Sequence, residues 1–525
     1  MRKIRILAAL ACLCLTTGLC VPAQGAEQTG TPKAGIVAQG ACGKDGADLT
    51  WTLEADGVLT IRGNGEMEDY GLGMIFGDEE QEADRLQDSR DLPWPPPWME
   101  WLEPTEPEMI FGSMRLREIV IQDGVTSVGE LAFYSCNLSG AQVQIPDSVT
   151  SIGDGAFLDS GLTEIRIPVS VESIGAYAFR GCALTEVTIP ENVTAIGRGA
   201  FSGGQDYSGT GNLPVLLEKI SVAPGNRAYH VVDGVLYNMD STELVQYPTG
   251  RDAPYFKIPD GVTRIGAGAF SQCRLTNVGF PKNLKEIEGS AFARSPLLSE
   301  VCLPEGLTEI GVEAFSECTA LSGLTLPSTV TRIGDLAYHL CGGLKTVELP
   351  SSVETIGYRA FAGCSIKRVS IPDGAVRIGS WAFGGVTSVY VPKSVTSVGM
   401  VPFGNCVTDI YYGGSEAEWR GLRVDSEDAV IHYDRSQLEI PAWISGTDGD
   451  RTRISVGDPD LPQETMVLAA SLSGGRFRGA ALGTYGGSRG RFDFGTRLEE
   501  GCRLFFLDPQ TLIPLSEPTV LMGPR

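Results

Sequence analysis

The stretch Leu162-Thr-Glu-Ile-Arg-Ile-Pro-Val-Ser-Val-Glu-Ser-Ile-Gly-Ala-Tyr-Ala-Phe179 returns almost unchanged along much of the chain. Its pattern is L-x-x-I-x-I-P-x-x-V-x-x-I-G-x-x-A-F-x-x-C. Most of its aromatic anchors are 20 to 24 residues apart, and they are Phe133, Phe157, Phe179, Phe201, Phe270, Phe292, Phe315, Tyr338, Phe361, Phe383 and Phe403. The longer step from Phe201 to Phe270 equals three repeat lengths, so it contains two irregular repeats. Self-similarity at a fixed period predicts a repeat architecture.

Each repeat is predicted to form one coil of a stacked structure. Ile165 and Ile167 alternate with polar residues, which indicates a short strand whose polar side chains face outward. Pro168 ends the strand because it has no N–H to donate. Ile174 turns the chain inward again, and Gly175 permits a tight turn. One coil cannot bury these apolar residues alone, so coils stacked about 4.8 Å apart must bury them as continuous columns.

The repeat resembles the BspA-type leucine-rich repeat of bacterial surface proteins, over about residues 115–412. The resemblance implies a right-handed leucine-rich-repeat solenoid, with a parallel β-sheet on one face and turns or short helical segments on the other. Glu288 replaces the turn glycine and Pro402 replaces the alanine before Phe403; both are expected to distort single coils only. In some family members, such repeats attach to host matrix proteins, other bacteria or mucosal surfaces.

Further domains are predicted around the repeats. Residues 27–114 are predicted to be an N-terminal β cap, because apolar and polar residues alternate on both sides of Asp56-Gly57, a hairpin signal. The solenoid is predicted over residues 115–439, with an irregular insertion at about 202–258. Residues 440–525 lose the repeat and contain short strand-like segments, which predicts a small all-β domain that resembles a β-sandwich.

Residues 1–26 have the features of a secretory signal peptide. Basic residues precede an apolar run from Ile6 to Leu19, and small residues follow from Ala23. Lipidation at Cys20 is the alternative, disfavoured because the preceding residue is not small. No later stretch is apolar enough to span a bilayer. The sequence therefore predicts a secreted, extracellular protein that is either released or associated with the cell surface.

Charge limits the classes of partner. The formal net charge is −24 at pH 7. Because an anionic protein is repelled by phosphate backbones and anionic lipids, neither nucleic acid nor a membrane is an expected partner. An extracellular protein or a glycan remains, and composition does not fix the oligomeric state.

Seven cysteines share one repeat position, three residues after the aromatic: Cys136, Cys182, Cys273, Cys318, Cys341, Cys364 and Cys406. A disulfide or metal ladder is one interpretation. A buried column of small apolar residues is favoured, because free Cys packs well in cores and metal-binding C-x-x-C spacing is absent. Cys302 lies on the outward phase of its strand and is predicted to be the best exposed thiol.

The sequence contains no phosphate-binding loop or zinc-protease helix motif. We therefore predict no catalytic residue, cofactor or metal, and a secreted or cell-surface interaction protein that presents its repeats for protein or cell adhesion. A glycan-binding accessory module and a structural spacer of the envelope are the alternatives.

The first candidate binding group lies near the C-terminal end of the repeats. Outward positions of the predicted sheet are mostly small and polar, whereas Arg368, Tyr390 and Tyr411 fall on neighbouring coils there. Because binding hot spots favour Tyr, Trp and Arg, these three residues are predicted to contact a partner.

The second candidate group is Trp94, Trp98 and Trp101, beside a run of prolines in the acidic segment 66–108. Tryptophan held by rigid proline offers a flat contact at low entropic cost, which favours a binding loop. A solvated insertion is the alternative. The acids lack the ligand spacing of a calcium loop.

Overall fold

The computed structural model describes residues 35–44, 48–70, 96–98, 115–203, 217–424 and 429–433, and the backbone of strands between residues 442 and 520. Two compact units are distinguished. One comprises Met1–Ala183, Ala195–Gly197 and Gln205–Asn212, and the other comprises Leu184–Thr194, Arg198–Gly204 and Leu213–Arg525.

The first unit opens with three antiparallel strands, β1 (Ile36–Ala41), β2 (Asp48–Glu54) and β3 (Val58–Glu66). β2 and β3 form a hairpin around Asp56-Gly57, where the alternation indicated one. Gly57 has φ +84°, and a Cβ there would lie 2.5 Å from the carbonyl oxygen of Arg115, so only glycine fits. β3 also pairs in parallel with the first repeat strand, β4 (Glu118–Ile121).

Coils of the first unit contribute two kinds of parallel strand. Longer strands are β4 and β6 (Gln142–Gln144), which pair directly. Shorter strands form a second ladder: β5 (Val125–Val128), β7 (Ser151–Ile152), β8 (Ser173–Ile174) and β10 (Ala195–Ile196). The alternating pattern predicted the first set. The second ladder lies where turns or short helical segments were expected, because two-residue strands are too short to leave an alternating signal.

The second unit repeats this arrangement. Its longer strands are β9 (Glu186–Ile189), β11 (Lys219–Val222), β15 (Tyr255–Lys257), β17 (Asn277–Gly279), β19 (Glu300–Cys302), β21 (Gly323–Thr325), β24 (Arg368–Ser370), β26 (Ser388–Val391), β28 (Asp409–Tyr412) and β29 (Val430–His432). Its shorter strands are β16 (Arg264–Ile265), β18 (Glu286–Ile287), β20 (Glu309–Ile310), β22 (Arg332–Ile333), β23 (Thr355–Ile356), β25 (Arg377–Ile378) and β27 (Ser397–Val398). The leucine-rich-repeat solenoid predicted from the sequence is confirmed.

The irregular insertion contains an antiparallel meander, β12 (Tyr229–Val232), β13 (Val235–Asn238) and β14 (Glu243–Gln246). Its two-residue turn has positive φ at Asp233 (+49°) and Gly234 (+80°), as a type I′ hairpin requires. β14 then pairs in parallel with β16. Tyr247 follows and stacks on Phe270 at 5.0 Å, so the insertion rejoins the repeat core.

A column of stacked aromatic rings forms the core of each unit. In the first unit, the ring centroids of Phe133, Phe157 and Phe179 are 5.2 and 5.5 Å apart. In the second, successive rings from Tyr247 to Phe383 are 4.7 to 5.3 Å apart. All these rings are buried. The aromatic anchors are therefore core residues, as the repeat predicted.

The repeat glycine is needed for close packing between coils. A Cβ on Gly357 would lie 2.5 Å from the backbone nitrogen of Asp335 in the preceding coil. Its φ is outside the left-handed region, so the tight turn inferred from the sequence is not the reason for glycine here. Glu288 is accommodated because its carboxylate binds the Arg264 guanidinium and accepts a hydrogen bond from Ala267 N at 2.8 Å.

Helix α1 (Glu416–Leu422) follows β28, begins at a capping box formed by Ser415 and Glu418, and buries Trp419. The later strands pair as one seven-stranded antiparallel sheet: β30 (Ala442–Asp448), β31 (Arg451–Val456), β32 (Met466–Ser473), β33 (Arg476–Tyr485), β34 (Arg491–Phe494), β35 (Arg503–Leu507) and β36 (Thr519–Val520). The domain boundaries and the sandwich-like packing stay predictions.

Candidate partner-binding surface

Trp98 lies inside the first unit. Its side chain is 0% exposed, its ring stacks on Phe133 at 5.6 Å, and it meets Trp51 and Tyr70 edge to face. The indole Nε1 donates to the carbonyl oxygen of Ala132 at 3.1 Å. Trp98 thus extends the aromatic column by one ring on its N-terminal side.

This burial corrects one prediction. Trp98 was expected to be an exposed anchor of a binding loop, but the apolar first coil needs a cover and the indole supplies it. Trp94 and Trp101 lie outside the described residues, so their role in binding stays a prediction.

The tyrosines of the C-terminal group are on neighbouring coils, as predicted. Strand register places Ser370, Tyr390, Tyr411 and His432 side by side. The rings of Tyr411 and His432 stack at 4.5 Å. One row away, Arg368 is the register partner of Ser388.

Their exposure differs from the prediction. Tyr390 and Tyr411 are each only 6% exposed, and Arg368 is half-buried. Burial raises the pKa of Tyr390, and the nearby Asp373 carboxylate raises it further. Strand alternation places a side chain on the outer face but does not tell whether that face is open. The prediction that the two tyrosines stand in an open row of contact residues is therefore wrong.

The outward row is open elsewhere in the second unit. Tyr255 is 54% exposed, and Lys257, Glu300 and Thr325 are exposed as well. Lys219 and Glu186 are 3.4 Å apart across neighbouring coils, a solvated ion pair that contributes little to stability. This row presents varied polar side chains.

The cysteine column is a hydrogen-bond ladder. The thiols of Cys318, Cys341 and Cys364 donate to the carbonyl oxygens of the aromatic residue one coil earlier, at 3.1 to 3.2 Å. Ser295 occupies the same position and donates to Phe270 O at 3.1 Å. All nine described cysteines are free, and burial raises the pKa of Cys136 to about 12. These thiols are poor nucleophiles because little thiolate forms.

Exposure of the thiols only partly follows the sequence. Cys302 is exposed, as predicted. Cys406, which the repeat placed in the buried column, is exposed too, so the prediction of burial is wrong at that position. Burial raises the pKa of Cys302, and Glu300 raises it further.

Among the described residues, no set of three His, Cys, Asp or Glu side chains is placed to hold a metal ion. Within the same residues, no helix has the length and apolar character needed to cross a membrane.

The repeats match the model of the BspA type leucine rich repeat region in six copies, over residues 107–208, 250–367 and 354–412, half of the chain. The chain belongs to this family.

Solved structures of other leucine-rich repeat proteins are similar to this BspA-type chain. One, from Eubacterium ventriosum, is 26% identical with a TM-score of 0.50, over 71% of this chain and 96% of that one. The pneumococcal vaccine antigen PcpA is 18% identical with a TM-score of 0.44, over 77% and 100%. A leucine rich cell surface protein from Faecalibacterium prausnitzii is 24% identical with a TM-score of 0.35, over 76% and 99%. No curated protein matches the chain.

Sequence reasoning missed one exposed region of the BspA-type repeat. The two positions after the repeat glycine carry Tyr358 and Arg359 in one coil, Trp381 in the next and Met400 in the third. Tyr358 is 38% exposed and Met400 is 75% exposed. These positions vary along the repeat, from Gly155 to Tyr177 and Leu336, and the sequence pattern indicates only a turn there.

Proposed function

We propose that this chain is a secreted or cell-surface interaction protein without catalytic activity, which binds an extracellular protein through its repeats and so mediates adhesion. Family membership supports a binding role, because stacked repeats offer extended surfaces built on one fixed core. The observation that carries the proposal is the variety at one outward position. Tyr255, Asn277, Glu300 and Gly323 are register partners on four successive coils, yet each differs in chemistry.

An extracellular location rests on the predicted leader and on the acidic charge, which keeps an exported protein soluble. The buried thiols are compatible with oxidising surroundings because their raised pKa values suppress oxidation. Intact mass of the exported protein tests this part. We expect loss of residues 1–25 or 1–26 and no lipid. A diacylglyceryl adduct on Cys20, or retention of the chain inside the cell, would contradict it.

Binding is tested with the full exported chain on arrays of matrix proteins, bacterial surface proteins and glycans. An unrelated protein of similar net charge is the control, because it reveals retention by charge alone. We expect saturable retention by at least one protein. Retention only by glycans would instead indicate an accessory module, and retention by neither class would indicate a structural spacer.

A further inference from the structure

One flank of the last regular coils carries side chains that the core does not use. The aromatic column is complete without Tyr358 and Trp381, because Phe361 and Phe383 supply its rings in those coils. The three coils are joined directly at this flank, where Arg359 N donates to Ser380 O at 2.9 Å and Trp381 N donates to Met400 O at 3.2 Å. Tyr358 and Met400 therefore lie on either side of the coil that carries Trp381, and neighbouring coils are about 5 Å apart.

The coil places the backbone of Trp381 in the left-handed region, with φ +59°. Other large residues occupy the same position with positive φ in other coils, among them Tyr177, Leu336 and Arg359. This conformation therefore belongs to the repeat, and a change of side chain at this position does not alter it.

Two exposed cations, Arg359 and Arg377, adjoin this flank. In the ladder of shorter strands, Arg332 is 3.3 Å from Glu309 of the neighbouring coil. Arg377 in that ladder has Thr355 and Ser397 as register partners, and no described acid lies within ion-pair distance of it.

A second cation stands beside the aromatics. The Arg359 guanidinium lies 5.1 Å from the centroid of the Tyr358 ring, a cation–π contact that leaves its N–H groups able to donate. Asp335, an acid of the preceding coil, accepts a hydrogen bond from Tyr358 N at 2.6 Å. Tyr358, Arg359, Arg377, Trp381 and Met400 together are called the turn flank below.

We propose that the turn flank binds a short acidic peptide segment that carries an apolar side chain. This site rests on the proposed protein-binding function and gives its partner chemistry. Trp, Tyr, Met and Arg are enriched at protein interfaces, and Arg binds carboxylates in bidentate geometry. The segment is short because the rest of the chain repels extended polyanions, whereas screening over about 8 Å at physiological salt leaves the local attraction intact.

The test uses the full chain and a fluorescent library of synthetic peptides rich in Asp and Glu, each with one variable apolar residue. A matched library has Asn and Gln in place of the acids. We expect selected acidic peptides to bind, with an affinity that falls as salt rises, and the neutral library to bind at least about tenfold more weakly.

Variants assign the site. Trp381→Asn removes the indole and keeps a residue that tolerates left-handed φ, so folding is preserved. Trp381→Asn is expected to weaken peptide binding about tenfold or more, and so is the double variant Arg359→Asn with Arg377→Gln. The double variant should also flatten the salt dependence of binding. The matched control is Leu297→Ala with Lys282→Ala, an exposed apolar residue and an exposed cation of other coils, which should leave affinity unchanged.

Several results would overturn the assignment. It fails if no acidic peptide binds, if the control pair weakens binding as much as Trp381→Asn, or if a sulfated polysaccharide binds the turn flank while the peptides do not. If Trp381→Asn keeps its thermal transition and the protein array still retains it at full affinity, the proposed function stands and the turn flank is not its site.

Discussion

The Cys341 thiol donates to the carbonyl oxygen of Phe315, one coil earlier, at 3.1 Å. Cys318 and Cys364 repeat the relationship, and Ser295 makes it with a hydroxyl. The residue three positions after these aromatics therefore adds a hydrogen bond between coils to a carbonyl that also accepts a backbone N–H, since Phe315 O accepts from Cys318 N at 3.3 Å as well. A column of apolar filler, as the sequence suggested, describes the packing but omits this role.

Removing the donor at Cys341 should destabilise the protein. Cys341→Val fills the space without a donor and removes this hydrogen bond, while Phe315 O keeps the backbone N–H of Cys318, so it should cost about 0.5–1.5 kcal/mol of unfolding free energy. Cys341→Ser keeps a donor and should cost less. Urea unfolding measures both, with Cys302→Val at an exposed thiol as control. Equal losses for the valine and serine variants would show that the hydrogen bond is irrelevant.

The buried thiols should make stability fall in alkali. The ordinary thiol pKa is 9.0, whereas burial raises the pKa of Cys136 to about 12 and raises those of Cys318 and Cys341. Below pH 9 both states keep the proton and the stabilisation is fully present. From pH 9 upward the unfolded chain loses protons that the folded chain retains, so each such thiol lowers stability by roughly 1.4 kcal/mol per pH unit.

Urea unfolding in reductant at pH 8 and pH 10 checks this dependence. Because lysine and tyrosine also titrate in alkali, the decisive quantity is the difference between wild type and Cys318→Ser with Cys341→Ser. The double variant should lose less stability between the two pH values. Identical losses would mean that these thiols do not contribute.

A methyl group on the repeat glycine should disrupt coil packing. The Cβ of Gly357→Ala would lie 2.4 Å from Asp335 Oδ1 and 2.5 Å from Asp335 N, so the coils must separate, at a cost of about 1–3 kcal/mol. Gly342→Ala is the control, since no atom lies within 4 Å of its added Cβ. Thermal unfolding compares the two. If both variants melt together with wild type, the close approach is not limiting.

The short-range sequence pattern predicted those elements whose structure depends mainly on neighbouring residues. The alternation at Ile165 and Ile167 predicted a short strand that does not form in that coil, although equivalent strands form in other coils, and Asp56-Gly57 marked the cap hairpin. The position of Trp98 depends on contacts with residues that are distant in the sequence, and a local periodicity cannot predict such contacts. The burial of Tyr390 likewise depends on the groups that cover the outer face of the sheet. Alternation predicts only the face on which a side chain lies.

Trp98 should stabilise the first coil, and this separates a structural tryptophan from the binding tryptophan proposed at position 381. Trp98→Ala removes the ring stacked on Phe133 and the donor to Ala132 O, so about 3–5 kcal/mol of local stability should be lost. In a repeat array, such a loss frays the neighbouring coil first, so hydrogen exchange should quicken around Phe133 before it changes around Phe383. Trp381→Asn should leave exchange at both places unaltered while weakening peptide binding. Unchanged protection around Phe133 in Trp98→Ala would mean that the indole does not cover the stack, and the aromatic segment near it would again be a candidate contact surface.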